Sequence, residues 1–244
     1  NIVLVLNGGT AFSMPWRDKV SAVIYAMYGG SENGTVISDI MFGDVNPSGR
    51  LPFTIAEHLD DYPPHALGLY DPLNKEDVVY GEGLFIGYRW MDKEDIKPAY
   101  PFGYGLTYTE FEWGEASLSE KRKKSVQSEV KPDRNSENAA RKSRKIKVRI
   151  PVANVGDMAG AEVVQVYIRD VESTLPRPEK ELKAFKKVWL KPGERQIVEV
   201  ELTEDDLRYF DPGKHSWVSE KGEFEILLGA SSEDIKETLR LTLR

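Results

Sequence analysis

Asn1-Ile2-Val3-Leu4-Val5-Leu6, broken by Asn7-Gly8-Gly9-Thr10, is the stretch on which the fold turns. A continuous apolar run ended by a glycine turn is the pattern of a strand buried on both faces in a parallel sheet. Ala22-Val23-Ile24-Tyr25-Ala26-Met27-Tyr28 repeats it, ahead of Gly29-Gly30. Between the two, Met14-Pro15-Trp16-Arg17-Asp18-Lys19 has Pro placed to start a short helix. Ser31 can cap a further helix carrying Val36, Ile37, Ile40 and Met41 at helical spacing, and Gly43 can end it in the left-handed conformation. Strand, helix, strand, helix predicts an α/β section with a mostly parallel sheet. A central strand needs neighbours on both sides, so a chain that opens on one is expected to be the C-terminal piece of a longer protein.

Outward from that stretch the texture changes three times. From Asp44 to Tyr80 turn residues dominate, and so long an irregular segment is expected to lie over a functional or packed surface. Tyr80-Gly81-Glu82-Gly83 through Gly87-Tyr88-Arg89-Trp90, and Tyr100-Pro101-Phe102-Gly103-Tyr104-Gly105-Leu106-Thr107-Tyr108, interleave glycine with aromatics and predict closely packed strands and turns. Lys121-Arg122-Lys123-Lys124 and Arg141-Lys142-Ser143-Arg144-Lys145 bracket a polar stretch with little to bury, read as a basic linker or loop over 116–145. Six runs then alternate apolar and polar residues with a period of two: Ile146 to Ile150, Glu162 to Ile168, Leu182 to Val188, Gln196 to Leu202, Phe224 to Leu228 and Leu239 to Leu243. That pattern predicts an all-β sandwich. The division expected is 1–115, linker 116–145, and 146–244.

Composition narrows the function. The 244 residues carry a net charge of −7, 40% hydrophobic and 30% charged residues, three His and no Cys. An acidic balance argues against a nucleic-acid partner, because phosphate contacts need clustered Lys and Arg. The absence of Cys removes disulfides, thiol nucleophiles and thiolate metal sites. His58, His65 and His215 have no metal-ligand spacing, so neither metal nor cofactor is expected. No apolar run reaches the roughly 20 residues of a helical membrane span, and no membrane partner is expected.

Phe42-Gly43-Asp44-Val45-Asn46-Pro47-Ser48-Gly49-Arg50-Leu51-Pro52, the Tyr80 to Arg89 segment and Pro101-Phe102-Gly103-Tyr104-Gly105-Leu106-Thr107-Tyr108 resemble the C-terminal signatures of family 3 glycoside hydrolases of the β-glucosidase type. Leu6 to Trp16 and Tyr28-Gly29-Gly30 fit in the same order. Asn154-Val155-Gly156, Glu162 to Tyr167, Leu182-Lys183-Ala184-Phe185 and Trp217 are similar to the fibronectin-type-III-like domain that ends many such enzymes. The resemblance implies the end of an α/β sandwich domain followed by a fibronectin-III-like sandwich, with a barrel domain as the partner and a β-linked glucoside or oligosaccharide as substrate. It also implies a nucleophilic Asp on the barrel and an acid/base Glu upstream of Asn1, so that this chain holds neither catalytic carboxylate and is inactive alone.

Within the chain, Glu82 is the candidate for chemistry, since glycines on both sides let a substrate approach. A Glu so placed also serves to pin a turn by accepting backbone N–H bonds. Trp90, Tyr70 and His65 are candidates for substrate contact, the aromatics through stacking on a sugar face, although aromatic clusters also form core. The alternative to a glycosidase part is a non-catalytic carbohydrate-binding or protein-interaction module.

Overall fold

A computed structural model describes residues 1–71, 73, 77–121 and 144–244. Residues 122–143 of the basic linker therefore lie outside the described residues. The first section begins with strands β1 (Val3–Leu6) and β2 (Ala22–Tyr25), paired in parallel with Val3 opposite Ala22 and Leu6 opposite Tyr25. Helix α1 (Asn33–Phe42) follows and ends at Gly43, whose φ of 83° is the left-handed stop expected of it. Ser31 does not cap that helix; it sits in a 3-10 turn over Gly30–Glu32 that leads into α1.

The glycine–aromatic segment departs from expectation. Tyr88–Glu94 is helix α3 once the short α2 (Pro63–Ala66) has been passed, not strand. Tyr88, Trp90 and Met91 are all buried, Trp90 and Met91 against Ala56 and Tyr88 against Phe102 and Tyr167, and a helix can bury the adjacent residues 90 and 91 together where a strand would split them. Aromatic content favours strand, and tertiary burial overrides it here. Residues 100–108 form turns, with one antiparallel bridge between Ile55 and Tyr100.

The second section is a sandwich of two antiparallel sheets. β3 (Phe111–Trp113) and β4 (Ser117–Lys121) both pair with one side of β5 (Lys145–Asn154). The sandwich thus draws in residues that composition assigns to the first section and to the linker. β6 (Gly160–Asp170) and β7 (Glu181–Leu190) follow, then β8 (Arg195–Thr203), which pairs with the other side of β5. β9 (Tyr209–Asp211) and β10 (Ser216–Val218) make a separate hairpin, and β11 (Gly222–Gly229) and β12 (Ile235–Leu243) complete the sheet ordered β12-β11-β6-β7. The expectation of a mostly parallel sheet is corrected by this pairing: among the described residues only β1 with β2 runs parallel. The hairpins β9–β10 and β11–β12 join consecutive strands by short turns and so pair antiparallel, and the remaining pairs of the sandwich run in the same sense.

The core lies between the two sheets. Ile146, Val148, Ile150 and Val152 of β5 face Val164, Val166 and Ile168 of β6, with Phe224, Ile226 and Leu228 of β11 beside them. β6 is unusual in being buried on both faces. Its alternate residues meet the first section: the Gln165 amide donates to the Gly103 carbonyl at 3.1 Å and to the Ala230 carbonyl at 2.6 Å, and the Tyr167 ring lies 5.8 Å from that of Tyr88. Gly103 has φ of 80°, and a Cβ there would come within 2.1 Å of the Gln165 side-chain oxygen, so only glycine fits. Asn46, also buried, donates to the Ala159 carbonyl at 3.0 Å and accepts from the Thr107 hydroxyl and the Tyr108 amide. Arg50 pairs with Glu162 at 2.8 Å and Lys180 with Asp92 at 2.6 Å across the same seam.

Candidate functional site

The segments that follow β1 and precede α3 enclose a cleft of about 680 Å³. Its walls come from Gly9 to Ala11 after β1, Pro52 to Thr54, the turn into α2, and Glu82 with Ile86 to Arg89. Ligand sites in parallel α/β layers form outside the carboxyl ends of the strands, where β1 delivers Gly9 and Thr10. Tyr25, the last residue of β2, donates its hydroxyl to the Thr10 carbonyl and packs its ring against Phe12 at 5.8 Å and Phe53 at 5.5 Å. Tyr25 thereby ties the turn after β1 to the wall at Phe53.

Tyr62 and Trp90 hold the opposite wall. The Tyr62 hydroxyl accepts from the Ala56 amide at 3.0 Å, and the Trp90 indole N–H donates to the Asp61 carbonyl at 3.0 Å. Gly87, with φ of 56°, lets the chain turn from the cleft into α3. The Tyr88 hydroxyl accepts from the Leu182 amide at 2.9 Å, which anchors this wall on β7. Thr54 is buried, and its hydroxyl has no partner among the described residues.

Charge in the cleft is sparse. Glu82 is the single carboxylate lining it among the described residues, and Arg89 the single cation. Arg89 reaches Glu181 at 3.5 Å. Burial alone would raise the Glu181 carboxyl, but Lys183, Arg177 and Arg89 together hold it below its ordinary value. Behind the wall, burial pushes the Asp92 carboxyl up in spite of Lys180. One carboxylate and one guanidinium lining the same cleft can orient a hydroxylated ligand. It cannot perform double displacement at a sugar, which needs two carboxyl groups about 5 Å apart. No group of three or more metal-ligating side chains stands together among the described residues.

Of the residues singled out from the sequence, only Glu82 lines the cleft. Trp90 is 4% exposed and packs with Ala56 and Met91, with the Lys93 ammonium 4.9 Å from its ring, so it offers no open face for a sugar. His65 lies in α2 with its ring 4.7 Å from that of Tyr70, and neither belongs to the cleft lining. The sequence reading missed Thr10, Phe53, Thr54 and Arg89 as cleft residues. Thr10 and Arg89 stand within quoted motifs and Phe53 and Thr54 within the turn-rich segment from Asp44 to Tyr80, and none carries a local mark of its position.

Two family models match the chain, the glycosyl hydrolase family 3 C-terminal domain over residues 1–108 and the fibronectin type III-like domain over residues 162–232. Thermostable beta-glucosidase B of Acetivibrio thermocellus is 44% identical over 243 residues, covering 99% of this chain and 30% of that protein. A beta-glucosidase of Bacteroides ovatus is 36% identical over 240 residues, again covering 30% of the relative. The chain thus spans about 30% of the length of these curated relatives. Among solved structures, the beta-D-glucoside glucohydrolase of Trichoderma reesei superposes with a TM-score of 0.85 at 33% identity, over 100% of this chain and 34% of that one. Beta-glucosidase 3B of Thermotoga neapolitana, solved with glucose, gives 0.83 at 34% identity over 98% of this chain and 31% of that one. With both of its domain types matched in order, the chain belongs to glycosyl hydrolase family 3, as the C-terminal domain of that family followed by a fibronectin type III-like domain.

Proposed function

We propose that this chain is the C-terminal part of a retaining β-glucosidase, which removes terminal non-reducing β-D-glucosyl residues. In that reaction one carboxylate attacks the anomeric carbon while a carboxylic acid protonates the departing oxygen. The second group then deprotonates the water that releases the glycosyl intermediate. Both groups are assigned to polypeptide outside these 244 residues, the nucleophile to a barrel domain. The first section supplies the end of an α/β sandwich domain, and its cleft orients the substrate through Glu82 and Arg89. In this reading residues 1–115 and 146–244 are the two domains, with β3 and β4 stitched onto the second.

The observation that carries the reading is the cleft lined, among the described residues, by a single carboxylate, in a chain whose relatives named beta-glucosidase are more than three times its length. Mixing this chain with the preceding part of the same polypeptide should restore hydrolysis of an aryl β-glucoside, while the chain alone gives none. Glu82→Gln in the mixture should raise KM at least several-fold with a smaller effect on kcat. Turnover by the purified chain alone, abolished by one acidic substitution within it, would overturn the proposal.

A further inference from the structure

The β9–β10 hairpin exposes two large aromatic side chains that neither the core nor the cleft uses. Phe210 and Trp217 are directly opposed in the strand register, with ring centroids 5.9 Å apart and planes at 71°. They remain 47% and 62% exposed. On the other face the hairpin is pinned. Tyr209 is buried, donates its hydroxyl to Glu220 at 2.6 Å, and lies under the Arg177 guanidinium at 5.3 Å. Arg177 is itself held by Asp170 at 2.8 Å. The aromatic pair is therefore presented from a fixed backbone, and little ordering entropy remains to be lost on binding.

We propose that Phe210 and Trp217 form a stacking platform for a pyranose ring of a β-linked glucan. A β-glucosyl unit has its hydroxyls around its rim, which leaves C–H faces that pack on an indole. The charges of the hairpin are already matched: Asp211 accepts from the Gly213 and Lys214 amides and pairs with the Lys214 ammonium at 2.9 Å. Glu220 is engaged by Tyr209 and Thr174. An ionic partner would have to break these pairs, while a neutral ligand need not. Size points the same way. The exposed parts of the two rings amount to roughly 200 Å², against about 800 Å² per partner in a stable protein interface. Phe185 and Trp189, also exposed, lie on one face of β7 but four residues apart, about 13 Å along the strand, so they do not form a ring pair.

The choice of a β-glucan rests on the proposed β-glucosidase reading; the platform itself rests on the hairpin. The test is affinity electrophoresis of the whole chain through gels containing soluble mixed-linkage β-glucan, with xylan and dextran gels in parallel. Retardation is expected in β-glucan, with a dissociation constant on the order of 1 mM. Trp217→Ala should weaken it at least tenfold and Phe210→Ala several-fold. Trp217→Tyr should keep part of it, and Trp189→Ala should leave it unchanged. Melting curves of each variant report whether folding is intact. Retardation by xylan alone, with the same dependence on Trp217, keeps the platform and removes the β-glucoside reading. Absence of retardation in every gel, or retardation indifferent to Trp217, overturns the platform and leaves the mixing experiment unaffected.

Discussion

The sandwich and the β1–β2–α1 layer come from one chain yet are built to different standards. β5 alternates buried residues with half-buried or exposed ones along its length, and its inward side chains pack with those of β6 and β11. In β1, β2 and α1 no residue is fully buried, and Phe42 is 81% exposed. Ile2, Tyr28, Val36 and Met41 also face outward. The sandwich closes its own core. The parallel layer has the composition of an interior without the contacts of one, and apolar patches of that kind mark surfaces that pair with other protein.

The largest test of this contrast is truncation at matched apolar positions. Ile226→Ala, inside the sandwich, should destabilise by about 4 kcal/mol, whereas Phe42→Ala should change stability by less than about 0.5 kcal/mol. Denaturant melts read the first, and hydrogen exchange should find amides of β6 and β11 protected while those of β1 and β2 exchange early. Equal protection in the two regions would break the comparison.

The seam between the regions gives a second, smaller effect. Gly103→Ala places a Cβ against Gln165 in a left-handed backbone and should cost about 2 kcal/mol. The loss should appear as faster exchange in residues 100–108 with β5 still protected. Loss of protection in β5 instead would show that seam and sandwich open as one unit.

Protonation sharpens the comparison most finely, because seam and sandwich surface respond to pH with opposite sign. Burial raises the Asp92 carboxyl above its ordinary 3.8, so the folded protein holds that proton more tightly than the unfolded chain. Its effect favours folding below that ordinary value and fades as pH rises through the raised one. Glu199, on the sandwich surface, is held at about 2 against 4.5 by Lys147 and Arg149. Its contribution is present above about pH 4.5 and lost as pH falls toward 2. Denaturation midpoints across pH 2 to 7 should lose one slope in Asp92→Asn and the other in Glu199→Gln. Slopes of the same sign would refute the assignment.

Much of this architecture could be read in the residues. Ile146, Val148 and Ile150 alternate with Lys147 and Arg149, and that period alone places β5 at a half-buried surface. Gly43 marks the end of α1 because few other residues adopt its backbone. What stayed hidden depended on partners distant in sequence. α3 looks like strand until Trp90 and Met91 pack together against Ala56, and β9 and β10 are too short for a period to show. The cleft was harder still. Glu82 was visible because glycines flank it, but Arg89 and Thr54 reach the cleft only after the chain has turned at Gly87 and run past Phe53.

β6 carries a consequence for anyone who would cut and splice this protein. Because Val164 and Val166 belong to the sandwich while Gln165 and Tyr167 belong to the seam, one strand serves as the party wall of two neighbours. Transplanting residues 146–244 onto a foreign host would leave Val163 and Tyr167 wet. A chimera that keeps residues 46–108 alongside them takes the wall with both of its rooms.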